Sequence, residues 1–140
     1  MDTPDFPRLR VLCVDDNLDV ADSTAALLEV LGYETEFCCD GLAALAVANW
    51  FRPDACLIDL NMPELNGYDL ARALRARADG RPLRLVAVTA QSGEEARRRA
   101  RAAGFDFHLV KPASVEEYAA ALVGAGSERL RAQELAQSRR

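Results

Sequence analysis

Five short apolar runs rich in strand-forming residues alternate along this chain with five segments of helical periodicity, and this alternation limits the fold more than any other feature. The strand-like runs are LRVLCVDD, TEFCC, ACLID, LRLVAVTA and FHLVK. The helical segments are expected at residues 18–31, 42–51, 68–77, 94–103 and 115–122. Apolar parallel strands joined by helical crossovers are covered on both faces, so the pattern predicts an open, doubly wound α/β fold.

The predicted helices carry end signals and apolar faces of suitable spacing. The S-x-x-E spacing of a capping box occurs at 92–95 and at 114–117, and Gly32 and Gly104 stand where glycine commonly ends a helix. Apolar stripes at helical spacing predict the faces that cover the sheet. These stripes are Leu70, Ala73 and Leu74 in the third helix, Ala96, Ala100 and Ala103 in the fourth, and Val115, Tyr118, Ala119 and Leu122 in the fifth.

Length and charge exclude several classes of protein. A chain of 140 residues matches one domain, and the apolar half of its composition indicates a packed core rather than disorder. The net charge of -5 argues against nucleic-acid binding. One local basic cluster is interpreted as a solvated helix face; it comprises Arg97, Arg98, Arg99 and Arg101.

No segment of the sequence predicts contact with a membrane. The uncharged run at 41–51 is too short to cross a bilayer, and residues 1–8 lack the apolar stretch of a secretory signal. A cytoplasmic location is therefore expected. The cysteines show no CxxC spacing, so we interpret all four as buried, reduced thiols rather than metal ligands. They are Cys13, Cys38, Cys39 and Cys56.

Polar residues stand at the ends of four of the five predicted strands. Asp15 and Asp16 end the first strand, Asp59 the third, Thr89 the fourth and Lys111 the fifth. Each has an ordinary structural explanation by itself, because an acidic pair can cap a helix, threonine favours strands and lysine often ends one. The carboxyl ends of parallel strands, however, meet at one edge of the sheet, so we expect these side chains to share one crevice.

Three carboxylates in one crevice require a compensating cation. At an effective dielectric near 20, each pair a few ångströms apart repels by about 4 kcal/mol. A hard divalent ion suits a site made only of oxygen ligands. Mg2+ takes one or two carboxylates and keeps positions for water or a phosphate oxygen. The sequence therefore predicts a Mg2+ site.

The chemistry that fits such a site is transfer of a phosphoryl group to the Asp59 carboxylate. The Thr89 hydroxyl and the Lys111 ammonium would each bind one phosphoryl oxygen, and positioning with charge stabilisation is most of what this reaction needs. The chain has neither a Walker-type phosphate loop nor a dinucleotide-binding glycine motif. A phosphorylated protein or a small phosphodonor is therefore expected as the donor, rather than ATP.

Four stretches of the sequence match the motifs of a known family: VLCVDDN, LIDLNMPELNGYDL, VAVTA and HLVKP. In order and spacing over residues 9–123, they resemble the receiver domain of bacterial two-component response regulators, in its single-domain, chemotaxis-regulator-like form. The resemblance implies a flavodoxin-like (βα)5 fold with strand order 2-1-3-4-5. It also implies a phosphorelay signalling domain that catalyses only its own phosphorylation and dephosphorylation.

The resemblance assigns roles to the acidic residues. It implies that Asp59 is the phosphoacceptor. It further implies that Asp16, Asp59 and the main-chain carbonyl of Asn61 are Mg2+ ligands, with Asp15 in support.

The same resemblance implies that Thr89 is a switch residue and that Lys111 binds phosphate. Lys111 is the only lysine among 17 Lys and Arg residues, which suggests that a compact ammonium is required there. The resemblance also implies that Pro63 and Gly67 shape the loop after the phosphoacceptor, and that Pro112 follows a cis peptide bond.

One position departs from the family pattern. Many members carry tyrosine or phenylalanine three residues before the lysine, as an aromatic side chain that swings inward when the threonine moves. This chain has His108 there, which is polar and can titrate. Two interpretations follow: His108 takes over the switch role with Thr89, or it is a half-exposed histidine without a signalling role.

The expected organisation is a receiver domain at 9–123, an extension at 1–8, and a tail or helix extension at 124–140. A stand-alone domain is predicted because no output domain fits into that tail. The alternative is a receiver module of a longer hybrid sensor kinase. A haloacid-dehalogenase-type phosphatase is disfavoured because that family needs a D-x-D motif, and Asn61 replaces its second aspartate.

The expected partners are proteins. A histidine kinase or a histidine phosphotransfer protein would supply the phosphoryl group. A downstream partner would dock on the face made by the fourth helix, the fifth strand and the fifth helix. This face commonly dimerises in the family, but the arginines clustered on or near it could repel, so a monomer is expected.

Overall fold

The computed structural model describes residues 8–125, which form five strands and five helices in alternation. These are β1 (Arg10–Val14), α1 (Leu18–Val30), β2 (Glu34–Cys38), α2 (Gly41–Phe51), β3 (Ala55–Ile58), α3 (Gly67–Ala78), β4 (Arg84–Thr89), α4 (Glu94–Ala102), β5 (Phe107–Val110) and α5 (Val115–Leu122). The predicted order and type of the elements are confirmed.

All five strands are parallel and lie in the order β2-β1-β3-β4-β5. The fold is therefore the predicted doubly wound α/β sheet, with the strand order that the family resemblance implied. β1 and β3 are neighbours, and Val14 pairs with Ile58 at their carboxyl ends. The residues that follow these two strands consequently emerge side by side, at the edge where such sheets bind ligands.

The central strands bury side chains on both faces of the sheet. Leu12, Ile58 and Leu85 belong to the core beneath α2, α3 and α4, whereas Val11 and Val86 belong to the core beneath α1 and α5. Each fully buried aliphatic side chain stabilises the fold by about 1.5–3 kcal/mol. Because both faces are covered, the strands read as continuous apolar runs rather than as an alternation of apolar and polar residues.

Most of the predicted helix ends are confirmed. Gly32 and Gly104 follow α1 and α4 with φ values of 102° and 104°, a left-handed conformation that favours glycine. Ser114 and Glu117 form a full capping box at the start of α5, each side chain accepting a hydrogen bond from the backbone N–H of the other residue.

The capping box predicted at Ser92 and Glu95 is wrong. α4 begins at Glu94, and Gly93 occupies the N-cap position without a side-chain hydrogen bond. Gly93 has a φ of 107°, a conformation that a capping serine does not favour. The helix therefore starts one residue too late for the Ser92 hydroxyl to cap it.

The apolar stripe predicted for α5 is partly wrong. Tyr118 and Leu122 are buried, but Val115 and Ala119 are exposed, and Ala121 is buried instead. The buried face of this short helix therefore comprises Tyr118, Ala121 and Leu122. The stripes predicted for the two preceding helices are confirmed as buried or half-buried: Leu70, Ala73 and Leu74 in α3, and Ala96, Ala100 and Ala103 at α4.

Three of the four cysteines are buried free thiols, as predicted, and Cys39 is the exception. Cys13, Cys38 and Cys56 lie in strands, and burial raises the pKa of the Cys13 and Cys38 thiols to about 12. Cys39 is exposed because it follows the last residue of β2, where the chain turns toward α2.

Within residues 8–125, no helix combines the length and the apolar character needed to cross a bilayer. The extension expected at 1–8 lies outside the described residues except for Arg8. Of the tail expected at 124–140, only Gly124 and Ala125 are described.

Candidate functional site

Three aspartates meet at the carboxyl edge of the sheet. Asp15 and Asp16 follow β1, and Asp59 follows β3. The pairing of these strands extends by one more hydrogen bond, which the backbone N–H of Asp59 donates to the carbonyl of Val14 over 2.9 Å. One oxygen of each carboxylate lies within 4.8 Å of the others. The structure thus brings these side chains together, as the strand-end pattern predicted.

The three carboxylates differ in exposure and in hydrogen bonding. Asp15 and Asp59 are buried, and each accepts a hydrogen bond through Oδ1: from the N–H of Asn17 at 2.9 Å and from the N–H of Asn61 at 3.1 Å. Asp16 is exposed. The site therefore has two fixed carboxylates and a third that faces solvent, and this all-oxygen set can hold a metal ion.

Lys111 supplies the positive charge of this site. Its Nζ donates a hydrogen bond to Oδ2 of Asp15 over 2.6 Å and lies 3.6 Å from Oδ2 of Asp59. Burial lowers the pKa of Lys111, but the hydrogen bond to Asp15 and the charge of Asp59 outweigh burial, so the pKa lies above its ordinary value. The ammonium therefore stays protonated at neutral pH and offsets part of the carboxylate repulsion.

The surroundings of Asp59 disfavour its ionised form. Burial raises the pKa of this carboxyl group, and the charge of Asp15 and a hydrogen bond with Asp16 raise it further. The N–H of Asn61 and the charge of Lys111 lower it, without cancelling the rise. Ionised Asp59 is thus held in the folded protein at a free-energy cost, which a bound cation or electrophile relieves.

Thr89 and His108 lie on the face of the sheet that α4 covers. Ala87 belongs to the core on this face, and Thr89 follows it by two positions, so both side chains point the same way. His108 is the β5 residue that pairs with Ala87. Thr89 is fully buried, and its hydroxyl accepts a hydrogen bond from the N–H of Gln91 over 3.3 Å.

His108 is half-buried and its imidazole is not satisfied. Among the described residues, neither ring nitrogen has a hydrogen-bond partner, although both are buried. The imidazole borders a cavity of about 150 Å³ that Arg97 and Arg101 of α4 also line. Burial lowers the pKa of His108, and the charge of Arg97 lowers it further. The side chain is therefore held neutral beside free space.

Replacing His108 with phenylalanine is expected to stabilise the domain by about 1–2 kcal/mol, because it removes two buried polar atoms that lack partners. The lowered pKa of His108 means that the unfolded chain binds the proton more tightly. Wild-type stability should therefore fall as the pH drops below about 6.5, toward the pKa of the folded state.

Urea unfolding at several pH values between 8 and about 5.5 measures both effects. His108 is the only histidine of the chain, so the difference in pH dependence between the wild type and the phenylalanine variant belongs to it. Equal pH slopes for the wild type and the phenylalanine variant would contradict the expectation.

The loop after Asp59 folds back so closely that only glycine fits at position 67. A Cβ atom on Gly67 would lie 2.5 Å from the carbonyl oxygen of Asp59 and 2.7 Å from Cα of Leu60. This contact supports the role of Gly67 in shaping the loop. The cis peptide bond expected between Lys111 and Pro112 is confirmed.

Replacing Gly67 with alanine is expected to destabilise the domain by about 1–3 kcal/mol, because the added methyl group meets rigid backbone. Gly41 provides a matched control, since it also opens a helix. A Cβ there would meet side-chain atoms of Leu65 at 2.9 Å, its Cβ among them, but no backbone, so a smaller loss is expected. Urea unfolding of both variants tests the difference, and equal losses of stability would show that the approach to Asp59 is not rigid.

This chain is similar to proteins of one known family. The family model described as the response regulator receiver domain matches residues 11–123. This chain belongs to the response regulator receiver domain family. It is therefore a phosphorylation-accepting signalling domain, as its motifs predicted.

Curated relatives of this receiver domain include response regulators of mycobacteria. The response regulator MprA of Mycobacterium leprae is 37% identical over 109 residues, which are 78% of this chain and 47% of the relative. The transcriptional regulatory protein PrrA of the same organism is 40% identical over 111 residues, 79% of this chain and 47% of the relative. The receiver domain thus spans about half the length of the curated relatives it matches.

Solved structures of receiver domains share this fold. The chemotaxis protein CheY4 of Vibrio cholerae has a TM-score of 0.77 at 30% identity, covering 83% of this chain and 97% of that one. The signal receiver domain of a histidine kinase from Syntrophus aciditrophicus has a TM-score of 0.74 at 30% identity, covering 84% and 89%. The likeness therefore extends both to a chemotaxis protein and to the receiver domain of a histidine kinase.

Two arginine contacts within the receiver domain were not predicted from the sequence. Arg84 is buried, donates a hydrogen bond to the carbonyl of Ala121 in α5 over 3.2 Å, and lies over the ring of Phe107. Arg99 of α4 lies 4.5 Å from the ring centre of Tyr68 in α3. No local signal identifies these contacts, because each joins residues distant in sequence.

Proposed function

We propose that Asp59 of this receiver domain accepts a phosphoryl group in a Mg2+-dependent reaction and thereby changes the partner-binding face. One observation carries the proposal: Asp59 is buried beside two further carboxylates, with the Lys111 ammonium 3.6 Å from its Oδ2. A free carboxylate in this setting is both nucleophilic and held at a free-energy cost, and phosphorylation places the negative charge on phosphoryl oxygens, where Lys111 and a bound cation would neutralise it.

The donor set fits Mg2+. Hard oxygen ligands dominate the cluster, and its exposed member, Asp16, leaves the site open to water and to a phosphoryl group. Asp16, Asp59 and the main-chain carbonyl of Asn61 would hold the ion, with Asp15 in support. When bound, Mg2+ would neutralise charge between the carboxylate and the phosphoryl oxygens.

The protein's own residues position the phosphoryl group. An oxygen of Asp59 forms the new bond to phosphorus while the phosphorus–nitrogen bond of a phosphohistidine donor breaks, and the histidine nitrogen takes up a proton. Lys111 binds one phosphoryl oxygen by its charge, and the Thr89 hydroxyl binds another. Thr89 and His108 share one face of the sheet, so a shift of Thr89 would be transmitted toward the cavity beside α4.

We infer that the donor is a histidine kinase or a histidine phosphotransfer protein, and that the output surface is made by α4, β5 and α5. The domain would catalyse only its own phosphorylation and dephosphorylation. It would act as a monomer, because the arginines on α4 would face one another in a symmetric dimer built on this surface.

Two arrangements of the natural protein fit this function. A stand-alone receiver domain over residues 9–123 is the first, and the likeness to CheY4 supports it. The second is a receiver module of a hybrid sensor kinase, which the likeness to the receiver domain of a histidine kinase favours. A dehalogenase-type phosphatase is disfavoured by Asn61, an amide at the position of that family's second aspartate.

Intact-mass spectrometry after incubation with acetyl phosphate, with and without Mg2+, tests the proposal. We expect a single phosphoryl adduct only when Mg2+ is present. Peptide mapping should locate the adduct at Asp59. An adduct at another residue, or one that forms equally well in a chelator, would contradict the assignment.

Replacing Asp16 with asparagine is expected to weaken Mg2+ binding by about tenfold or more, because it removes a ligand's charge while keeping its shape. Asp19 to asparagine is the matched control, since it removes the same charge from an exposed residue outside the cluster. Isothermal titration calorimetry measures both affinities. Equal losses would show that only the general acidity of this edge matters.

A further inference from the structure

A cavity of about 450 Å³ lies at the opposite end of the sheet from the aspartate cluster. Its walls are the C-terminal ends of α2 and α3 and the segments that lead into β3 and β4. Ligand pockets for small molecules span roughly 300–1,000 Å³, so this cavity has the size of a binding site. No residue of the phosphorylation site lines it, so its function is separate from Asp59 chemistry.

The rim of this cavity is positively charged. Arg52, Arg77 and Arg81 line it, and the only acidic residue among the described lining residues is Asp79. Within residues 8–125, none of these arginines forms an ion pair, and the one side-chain hydrogen bond among them joins Arg77 to Asn49 over a long 3.4 Å. Unpaired guanidinium groups around a concave surface bind anions with two or more negative charges.

The floor of the cavity is apolar. Leu74, Ala78 and Leu83 contribute to it, and all three are buried members of the hydrophobic core. A small inorganic anion would leave this floor uncovered. A ligand with a flat or apolar body would cover it while its charged groups reach the arginines.

The backbone at Arg52 adopts a conformation that a glycine would tolerate better. Arg52 adopts φ 52° and ψ 66°, the left-handed conformation, at the end of α2. Glycine is favoured there, because a side chain adds a steric cost. A cation at a helix C-terminus interacts favourably with the helix dipole, but an arginine earlier in the last turn would do so without this cost. Arg52 thus places its guanidinium at the rim despite the steric cost of its backbone conformation.

We propose that this α2–α3 cavity binds a small organic phosphate of the nucleotide class. The three arginines bind the phosphate groups, and the apolar floor contacts the ring. Arginine is suited to both tasks, since its planar fork matches phosphate oxygens and stacks on flat rings. The site would let a soluble metabolite act on the receiver domain from the end opposite to the phosphoacceptor.

NMR spectroscopy of the full 15N-labelled chain tests this proposal. The chain is titrated with adenosine diphosphate at low salt and without Mg2+, and the positions of the backbone amide signals are followed. We expect shifts confined to the segments at 48–53 and 74–83. Inorganic pyrophosphate lacks the ring, adenosine lacks the charge, and citrate carries carboxylates instead of phosphates. Each of these probes should bind about tenfold or more weakly than the diphosphate.

Variants separate binding from stability. Arg77 to glutamine and Arg81 to glutamine should each weaken binding of the diphosphate about tenfold, with phosphorylation by acetyl phosphate unchanged. Arg98 to glutamine, on the exposed surface of α4, is the matched control and should bind normally. Arg52 to glycine should weaken binding while raising the unfolding temperature, a combination that a purely structural arginine would not produce.

Three results would overturn the proposal. They are an absence of shifts at the cavity up to millimolar diphosphate, binding of citrate or pyrophosphate as tight as that of the diphosphate, and equal losses of affinity in the Arg98 control and the cavity variants. Because binding is measured without phosphodonor and Mg2+, none of these results depends on phosphorylation of Asp59.

Discussion

Replacing Asp59 with asparagine is expected to abolish phosphorylation completely and to make the domain more stable at neutral pH. The amide keeps the shape of the side chain but is not a nucleophile, so the phosphoryl group has no acceptor. Asp59 is buried beside Asp15 and Asp16, and its ionised form is disfavoured by burial, by the charge of Asp15 and by a hydrogen bond with Asp16. The neutral amide escapes this cost.

The sign of the pH dependence follows from the raised pKa. A group whose pKa is higher in the folded state favours folding most when the pH is below its pKa in the unfolded state, about 3.9. This contribution to stability is lost as the pH rises through the pKa of the folded state. The stability gain of the Asp59 variant should therefore be small near pH 4 and should grow toward neutral pH. Urea unfolding across this range measures the gain.

Asp22 provides the control for the Asp59 variant. It is exposed on α1, and asparagine there makes the same change of charge outside the site. That variant should retain phosphorylation and show no comparable gain in stability. Phosphorylation of the Asp59 variant to the wild-type extent, measured by intact mass, would refute the assignment of the phosphoacceptor.

Replacing Lys111 with arginine is expected to leave a folded domain that can still accept a phosphoryl group but no longer transmits the change. The ammonium of Lys111 lies 2.6 Å from Oδ2 of Asp15 and 3.6 Å from Oδ2 of Asp59, so a compact group fills this space. A planar guanidinium is wider and would displace the phosphoryl contact. Loss of one charge-assisted contact should weaken phosphorylation-dependent partner binding about tenfold or more.

Amide hydrogen exchange in residues 90–108, with and without phosphodonor, measures the response of the variant inside the domain itself. The wild type should change its protection in this segment, and the Lys111 variant should not. Arg72 to lysine, an exchange of the same two residue types on the exposed surface of α3 and outside the measured segment, is the control. A response of the Lys111 variant as large as that of the wild type would show that any cation serves at this position.

The elements of the fold could be predicted because their signals are local. Apolar runs and helical stripes identified all ten elements, and the glycine at position 104 and the capping serine at 114 marked helix ends correctly. The errors arose where a local pattern had two solutions. Ser92 could cap only a helix that began one residue earlier, and Cys39 could be buried only if β2 were longer.

The site could be predicted in its membership but not in its geometry. Strand ends of a parallel sheet share one edge, so Asp59 and Lys111 were expected to meet from their positions alone. The unsatisfied nitrogens of His108 could not be foreseen, because they depend on how α4 packs over β5. Nor could the cavity between α2 and α3, whose lining residues come from segments far apart in the chain.

The sequence by itself determined the order and type of the elements, the two covered faces of the sheet and the residues delivered to its carboxyl edge, because hydrophobic period and chain direction are local properties. Only the tertiary structure decided the contacts. The hydrogen bond from Lys111 to Asp15 spans 96 positions, and the backbone of Asp59 leaves no room for a Cβ at position 67. Such contacts depend on distances of a few tenths of an ångström between elements, which are set when helices pack onto the sheet rather than by any local pattern.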